Sequence, residues 1–126
     1  MSNKGRLHLL VIEDDQDGQE VMATILAHLR LSFDLAGNAA EAEHFLYESG
    51  RRYDAAIIDL ALPDKDGWQI LADIRDNPQI GELPCVAVTA FHTSKLREEA
   101  LQAGFNAYFS KPIDTTSFAR SLETLL

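Results

Sequence analysis

Five side chains, Glu13, Asp14, Asp59, Thr89 and Lys111, could do chemistry together if folding brings them to one place. Each stands at the end of a short apolar run or directly after it. Three carboxylates in one crevice repel one another and raise each other's pKa unless a cation joins them. All-oxygen ligands favour magnesium, which is held by one or two carboxylates together with phosphate oxygens. Lys111 adds a compact positive charge, and Thr89 adds a hydroxyl that can donate to an anionic oxygen. A nucleophilic aspartate, a divalent metal, a lysine and a hydroxyl donor are the parts that phosphoryl transfer onto a carboxylate needs, because that reaction is mostly positioning and charge neutralisation. The expected product is an aspartyl phosphate on Asp59.

The elements that must position these groups follow from periodicity. Residues 7–12, 32–36, 55–59, 84–90 and 107–110 read as short strands, the third an apolar run closed at once by turn residues, as a strand buried on both faces would be. The run at 32–36 is mixed in polarity, which suits an edge strand. Between the first two strands Val21, Ile25 and Leu29 recur at helical spacing, widened by Met22 and Leu26, with Asp17 and Gly18 in the first turn. A second helix runs through Ala39, Ala42, Phe45 and Leu46 to Gly50, Arg51 and Arg52. A third spans 67–76 with Ile70, Leu71 and Ile74 inward, ended by Asn77-Pro78. A fourth spans 94–103, with Leu96, Ala100 and Ala103 on one face and Gly104 as its cap. Asp114 caps a fifth, whose inward residues are Phe118, Leu122 and Leu125.

Five strands alternating with five helices predict an α/β fold, a doubly wound five-stranded parallel sheet covered on both faces. The strand tips that carry Glu13, Asp14, Asp59, Thr89 and Lys111 then share the C-terminal edge of the sheet, where such folds bind ligands.

Composition bounds the rest. At 126 residues the chain is one domain, and 46% hydrophobic with 25% charged residues excludes disorder. A net charge of −9 argues against direct nucleic-acid binding, which needs a basic surface. Cys85, the single cysteine, is expected as a small buried hydrophobe. No stretch is long and apolar enough to span a membrane, and Met1-Ser2-Asn3-Lys4-Gly5-Arg6 opens no signal-peptide pattern, so a cytoplasmic location is expected. His8, His28, His44 and His92 lack metal-ligand spacing. Asp64 and Asp66 read as turn and helix-start residues, and Trp68 receives no role. For Asp15 two roles stay open, assisting the metal or facing solvent.

Four pieces, Val11-Ile12-Glu13-Asp14-Asp15, Ile57-Ile58-Asp59 with the loop through Gly67, Val88-Thr89-Ala90, and Ala107-Tyr108-Phe109-Ser110-Lys111-Pro112, occur in order, each at a strand tip. Together they resemble the receiver domain of two-component response regulators, over essentially the whole chain. The resemblance implies a flavodoxin-like (CheY-like) fold with strand order 2-1-3-4-5 and one receiver domain over 1–126; a free-standing regulator and a receiver cut from a larger protein both stay open, the first favoured. It implies that Asp59 takes a phosphoryl group from a histidine on a histidine kinase or histidine phosphotransfer protein, without the chain being an enzyme beyond its own phosphorylation and dephosphorylation. Magnesium would be bound by Asp14, Asp59 and the backbone carbonyl of Ala61, with Glu13 acting mainly through a water. Lys111 and Thr89 would hold the phosphoryl oxygens. Tyr108 would follow Thr89 inward and change the face that a downstream protein target reads. Lys111-Pro112 would be a cis peptide. Ala61 and Phe91, two residues after Asp59 and Thr89, would set the lifetime of the phosphate.

Three other functions compete. A magnesium-dependent phosphatase or phosphotransferase of the haloacid-dehalogenase type would carry an acid two residues after its nucleophile, where this chain has Ala61. A receiver-like binding module that is never phosphorylated has no need of all five site residues. A flavodoxin-like cofactor binder would show a Gly-rich loop after the first strand, which is absent here. The sequence leaves oligomeric state, cognate kinase and stimulus open.

Overall fold

The three central strands of the sheet are buried on both faces between two apolar layers, while the edge strand after the first helix keeps polar residues. The structure, a computed structural model, describes residues 7–126. The strands are β1 (His8–Ile12), β2 (Ser32–Ala36), β3 (Ala55–Asp59), β4 (Cys85–Thr89) and β5 (Ala107–Ser110). All pair in parallel in the order β2-β1-β3-β4-β5, with β2 at one edge as its mixed polarity predicts. Each of the four connections is helical, through α1 (Gln16–His28), α2 (Ala39–Glu43), α3 (Gly67–Asp76) and α4 (Ser94–Ala103), and α5 (Thr115–Leu125) follows β5. The expectation of a doubly wound α/β sheet holds.

Residues one apart on a strand face opposite ways, and this divides the core. Leu9, Val11, Ala55, Ile57, Val86 and Val88 face α1 and α5, meeting Met22, Ile25, Leu26, Phe118 and Leu122. Leu10, Ile12, Ala56, Ile58, Cys85 and Ala87 face α2, α3 and α4, meeting Ala39, Ala42, Ile70, Leu71, Ile74 and Ala100. Cys85 is buried and unpaired, as expected.

Three details differ from the periodicity. The buried stripe of α1 is Met22, Ile25 and Leu26, so Val21, expected inward, is turned away and 48% exposed. The second helix does not run on regularly, because α2 gives way at His44–Glu48 to a π-helical turn. That wider turn lets both Phe45 and Leu46 lean on the core while Tyr47 stays outside. On α4 only Ala100 is buried and Ala103 is exposed. Gly104, at φ 118°, closes that helix in a left-handed turn, with Gly104 N–H on Leu101 O and Phe105 N–H on Ala100 O. The turn swings Phe105 into the inward place that Ala103 was expected to take.

Among the described residues no helix is long and apolar enough to cross a membrane. The reading of residues 1–6 as lacking a signal-peptide pattern lies outside the described residues.

Candidate functional site

The parallel register sets the strand tips side by side. Ile12 pairs with Ile58, Asp59 with Val88, and Thr89 with Ser110, so the residues ending or following β1, β3, β4 and β5 open on one edge. Short ties hold these tips. Glu13 N–H donates to Ala36 O at 2.9 Å, Leu60 N–H to Val88 O at 3.0 Å, and Lys111 N–H to Thr89 O at 2.8 Å.

Asp59 is 6% exposed and Glu13 5%, while Asp14 is exposed. Asp59 Oδ1 accepts the Ala61 N–H at 2.9 Å, and Oδ2 accepts from Lys111 Nζ at 3.2 Å. The same Nζ donates to Glu13 Oε1, so Lys111 bridges the two buried acids. Glu13 Oε2 accepts the Asp15 N–H, and the backbone of Gly18 lies directly against Oε1, leaving no space for a side chain there. The α3 start is as tight: a Cβ on Gly67 would lie 2.6 Å from the Asp59 carbonyl oxygen. Thr89 is 2% exposed, and its Oγ1 accepts the Phe91 N–H at 3.1 Å. Tyr108 is buried in the layer under α3 and α4, and its hydroxyl lies 3.0 Å from His92 Nδ1.

One oxygen each from Glu13, Asp14 and Asp59 lie within 4.8 Å of one another. Magnesium takes oxygens at about 2.0–2.1 Å, so ligands on opposite sides of one ion stand roughly 4.2 Å apart, and small side-chain movements bring this set to that spacing. Three carboxylates against one ammonium leave an excess that a divalent cation balances. The donor set therefore fits a hard divalent ion.

Burial pushes the Glu13 carboxyl up to about 7 from 4.5, helped by its hydrogen bond with Asp59 and opposed by Lys111. Lys111 loses some basicity to burial, yet Glu13 and Asp59 hold its pKa above the usual lysine value. For Glu13 the folded chain favours the proton, so its contribution to stability is complete below about 4.5 and is lost as pH rises to about 7. With a chelator present, stability is expected to fall across that window by on the order of 2 kcal/mol more in the wild type than in Glu13→Gln. Urea unfolding of both chains at either end of the window measures it, and equal pH dependence would refute the assignment.

All five residues expected to do chemistry meet at this edge, and the other acids do not join them. Asp15 faces solvent and caps α1, accepting the Gly18 N–H at 2.9 Å. Asp64 takes the first N–H groups of α2, from Ala39 and Ala40, and Asp66 caps α3 through Gln69 N–H. Trp68 packs edge-on against Phe105. Among the described residues the three acids of the cleft are the one group of metal-ligating side chains. Lys111-Pro112 is cis, as expected. Sequence reasoning missed Gly18 and Gly67 as parts of the site, and His92 as the partner of the Tyr108 hydroxyl. Close backbone approach is a standing reason for glycine, so the two glycines were open to discovery, whereas nothing marks His92 before the fold is known.

Known proteins agree with this geometry. A family model described as the response regulator receiver domain matches residues 9–123. The transcriptional regulatory protein PmrA of Pectobacterium parmentieri is 32% identical over 95% of the chain, which spans about half (52%) of that regulator's length. A putative response regulator from Chloroflexus aurantiacus superposes with a TM-score of 0.87 at 25% identity, covering 94% of this chain and 96% of that one. The receiver domain of the sensor histidine kinase PA1611 from Pseudomonas aeruginosa PAO1, solved with a magnesium ion coordinated in its active site cleft, superposes with a TM-score of 0.84 at 30% identity, over the same shares.

Proposed function

The chain belongs to the response regulator receiver domain family, and from that premise we propose that Asp59 is its phosphoacceptor, charged by a phosphohistidine on a histidine kinase or phosphotransfer protein. The observation that carries this reading is the buried Asp59 carboxylate, held by Lys111 and within 4.8 Å of ligand oxygens on Glu13 and Asp14, at the C-terminal edge of a parallel sheet.

In the transfer, an Asp59 carboxylate oxygen bonds to phosphorus as the phosphorus–nitrogen bond breaks, and the electron pair of that bond stays on the donor imidazole. Lys111 turns its ammonium from Asp59 and Glu13 toward a phosphoryl oxygen. Thr89 donates its hydroxyl to another. The N–H of Ala61 keeps the attacking carboxylate in line through Oδ1. Asp14, Asp59 and the Ala61 carbonyl would hold a magnesium ion, with Glu13 acting through a water, and the ion would supply charge neutralisation at the phosphoryl oxygens. The chain promotes its own phosphorylation and dephosphorylation and turns over no separate substrate. Tyr108 follows Thr89, and a downstream protein reads the altered face of α4, β5 and α5. The domain takes in residues 1–126 and works in the cytosol.

The test is direct. Incubated with magnesium and acetyl phosphate, the chain is expected to gain one phosphoryl group by intact mass, stable in acid, lost in base, and absent when a chelator replaces magnesium. No gain under any of these conditions would overturn the proposal.

A further inference from the structure

After Asp59 the chain leaves the sheet and returns as α3 through a loop whose neck is closed by the Gly67 N–H on Leu60 O at 3.1 Å. Ala61 stands just inside that neck. Its N–H is taken by Asp59 Oδ1, and its carbonyl accepts no hydrogen bond from any described residue. Leu62 leans on the core and Pro63 has a fixed φ, so the chain has little freedom between Ala61 and Asp64. Asp64 then reaches across to α2. Its Oδ1 accepts the Ala39 N–H at 2.9 Å and its Oδ2 the Ala40 N–H at 3.1 Å. Lys65, the next residue, donates through Nζ to Glu43 Oε2 at 2.5 Å and to Asp73 Oδ2 at 3.4 Å, a second tie to α2 and one to α3.

We propose that Asp64 is a positioning residue for the metal site, a strap that hangs the loop carrying the Ala61 carbonyl on the N-terminus of α2. The inference rests on the metal site of the phosphoacceptor reading, in which that carbonyl is a ligand, and it names what holds the carbonyl in place. Asp64 itself stands outside the acid cluster of Glu13, Asp14 and Asp59. The helix it grips is a firm anchor, because Ala39 and Ala42 are buried in the layer beneath it. That helix has a cap of its own, since Asn38 accepts the Glu41 N–H at 2.8 Å. The remaining N–H groups of a first turn are commonly left to water, and Ala40 is exposed to it. What the foreign carboxylate adds is therefore a link between two elements that stand 25 positions apart. An anion is favoured at a helix N-terminus, and the Ala39 and Ala40 N–H groups hold this carboxyl below the usual carboxylate range, so the strap stays ionised at neutral pH. Cut free, the loop spends part of its time with the carbonyl turned out of the cleft. Apparent affinity for a cation then falls in proportion to the competent fraction. Magnesium feels such a loss sharply, because it demands near-ideal octahedral geometry.

Asp64 is exposed, so its replacement leaves the core intact. The test titrates full chains with manganese, which favours the same octahedral oxygen ligands, reading the free ion by electron paramagnetic resonance and adding magnesium as competitor. Asp64→Ala is expected to raise both dissociation constants at least ~threefold, a smaller loss than removing a group bonded directly to a metal ligand brings. Asp64→Asn, which keeps one acceptor oxygen, is expected to raise them less. Asn38→Ala removes the helix's own cap and leaves the strap, so it should lower the urea midpoint without moving either constant. In phosphate uptake from acetyl phosphate, Asp64→Ala should need more magnesium for its half-maximal rate and reach the wild-type rate at saturation. Unchanged constants in Asp64→Ala would overturn the inference, as would an equal rise in Asn38→Ala, which would make the integrity of α2 the cause. A saturated rate that stayed low would overturn it too, by placing Asp64 in the transfer itself. A wild type that binds neither ion would fail the metal site and this inference together, whereas one that binds manganese and takes no phosphate would fail the phosphoacceptor reading alone.

Discussion

An Asp59→Asn chain is expected to take up at least ~10²-fold less phosphate from acetyl phosphate than the wild type, because a neutral amide oxygen is a poor nucleophile beside a carboxylate. The loss should come without unfolding. Asp59 and Glu13 are buried together against one ammonium, so removing one charge relieves repulsion. Against that, an amide has one acceptor oxygen where the carboxylate has two, and either the Ala61 N–H loses its partner or Lys111 keeps only Glu13. The two effects oppose each other, and the stability change is expected within about 1 kcal/mol of zero. Intact mass and urea unfolding on the same preparation separate chemistry from folding. Label that persisted on the variant would mean another acceptor, with Asp14, the exposed acid of the cleft, the first to replace in turn.

The sequence made most of this architecture legible because the layers are so regular. A run such as Ala55-Ala56-Ile57-Ile58 has no polar face, which only a strand covered on both sides tolerates. Four such runs between helical patterns leave few topologies. Strand order was not derivable that way, since periodicity says nothing of which strands are neighbours; it came with the family resemblance. Helix ends were legible where the usual residue stood there, as at Asp66, Gly104 and Asp114. They were illegible at α1, which stops at Arg30 in the left-handed region, φ 61°, where a glycine would have been the signal. The π-helical turn after α2 carries no composition of its own and could not be foreseen.

For the site, the acids were legible because a carboxylate at a buried strand tip demands a cation or a function. What stayed hidden were contacts between residues far apart in the chain with no chemistry of their own. His92 meets Tyr108 across sixteen positions. The polar cluster at the other end of β1 and β2 is similar: Asp34, on the edge strand, accepts from Tyr53 at 2.6 Å and from Arg51, and lies 2.9 Å from His8 Nε2. An inward charge on an edge strand discourages pairing with a second sheet, and its partners come from other elements, so its sequence neighbours give no hint.

Arg75→Ala is expected to cost about 3 kcal/mol of stability and to lower the melting temperature by roughly 10 °C. Nothing in the sequence singles out this residue from other helix-end arginines, yet every N–H of its guanidinium is used. Nη1 donates to Gly81 O at 3.0 Å and Leu83 O at 2.7 Å, Nε and Nη2 to Gly104 O, and Nη2 to Asn106 Oδ1 at 3.0 Å. The Asn106 oxygen in turn accepts the Cys85 N–H at 2.9 Å, which extends the link to the first residue of β4. One side chain thereby fastens the end of α3, the loop into β4 and the turn between α4 and β5. Gly104 fits the link closely, since a Cβ there would lie 3.2 Å from Nε. Truncation strands several acceptors at once, and half-buried carbonyls are only partly rescued by water. Arg75→Lys should recover a minority of the loss, because a single ammonium cannot reach acceptors on both loops from one point. The α3 helix puts Arg75 about 12 Å along its axis from Gly67, which abuts Asp59. Phosphate uptake measured well below the transition should therefore be intact in Arg75→Ala. A stability loss under about 1 kcal/mol would mean that solvent satisfies those carbonyls as well as the guanidinium does, and intact stability with lost phosphate uptake would mean that the clamp acts on the cleft from the far end of α3.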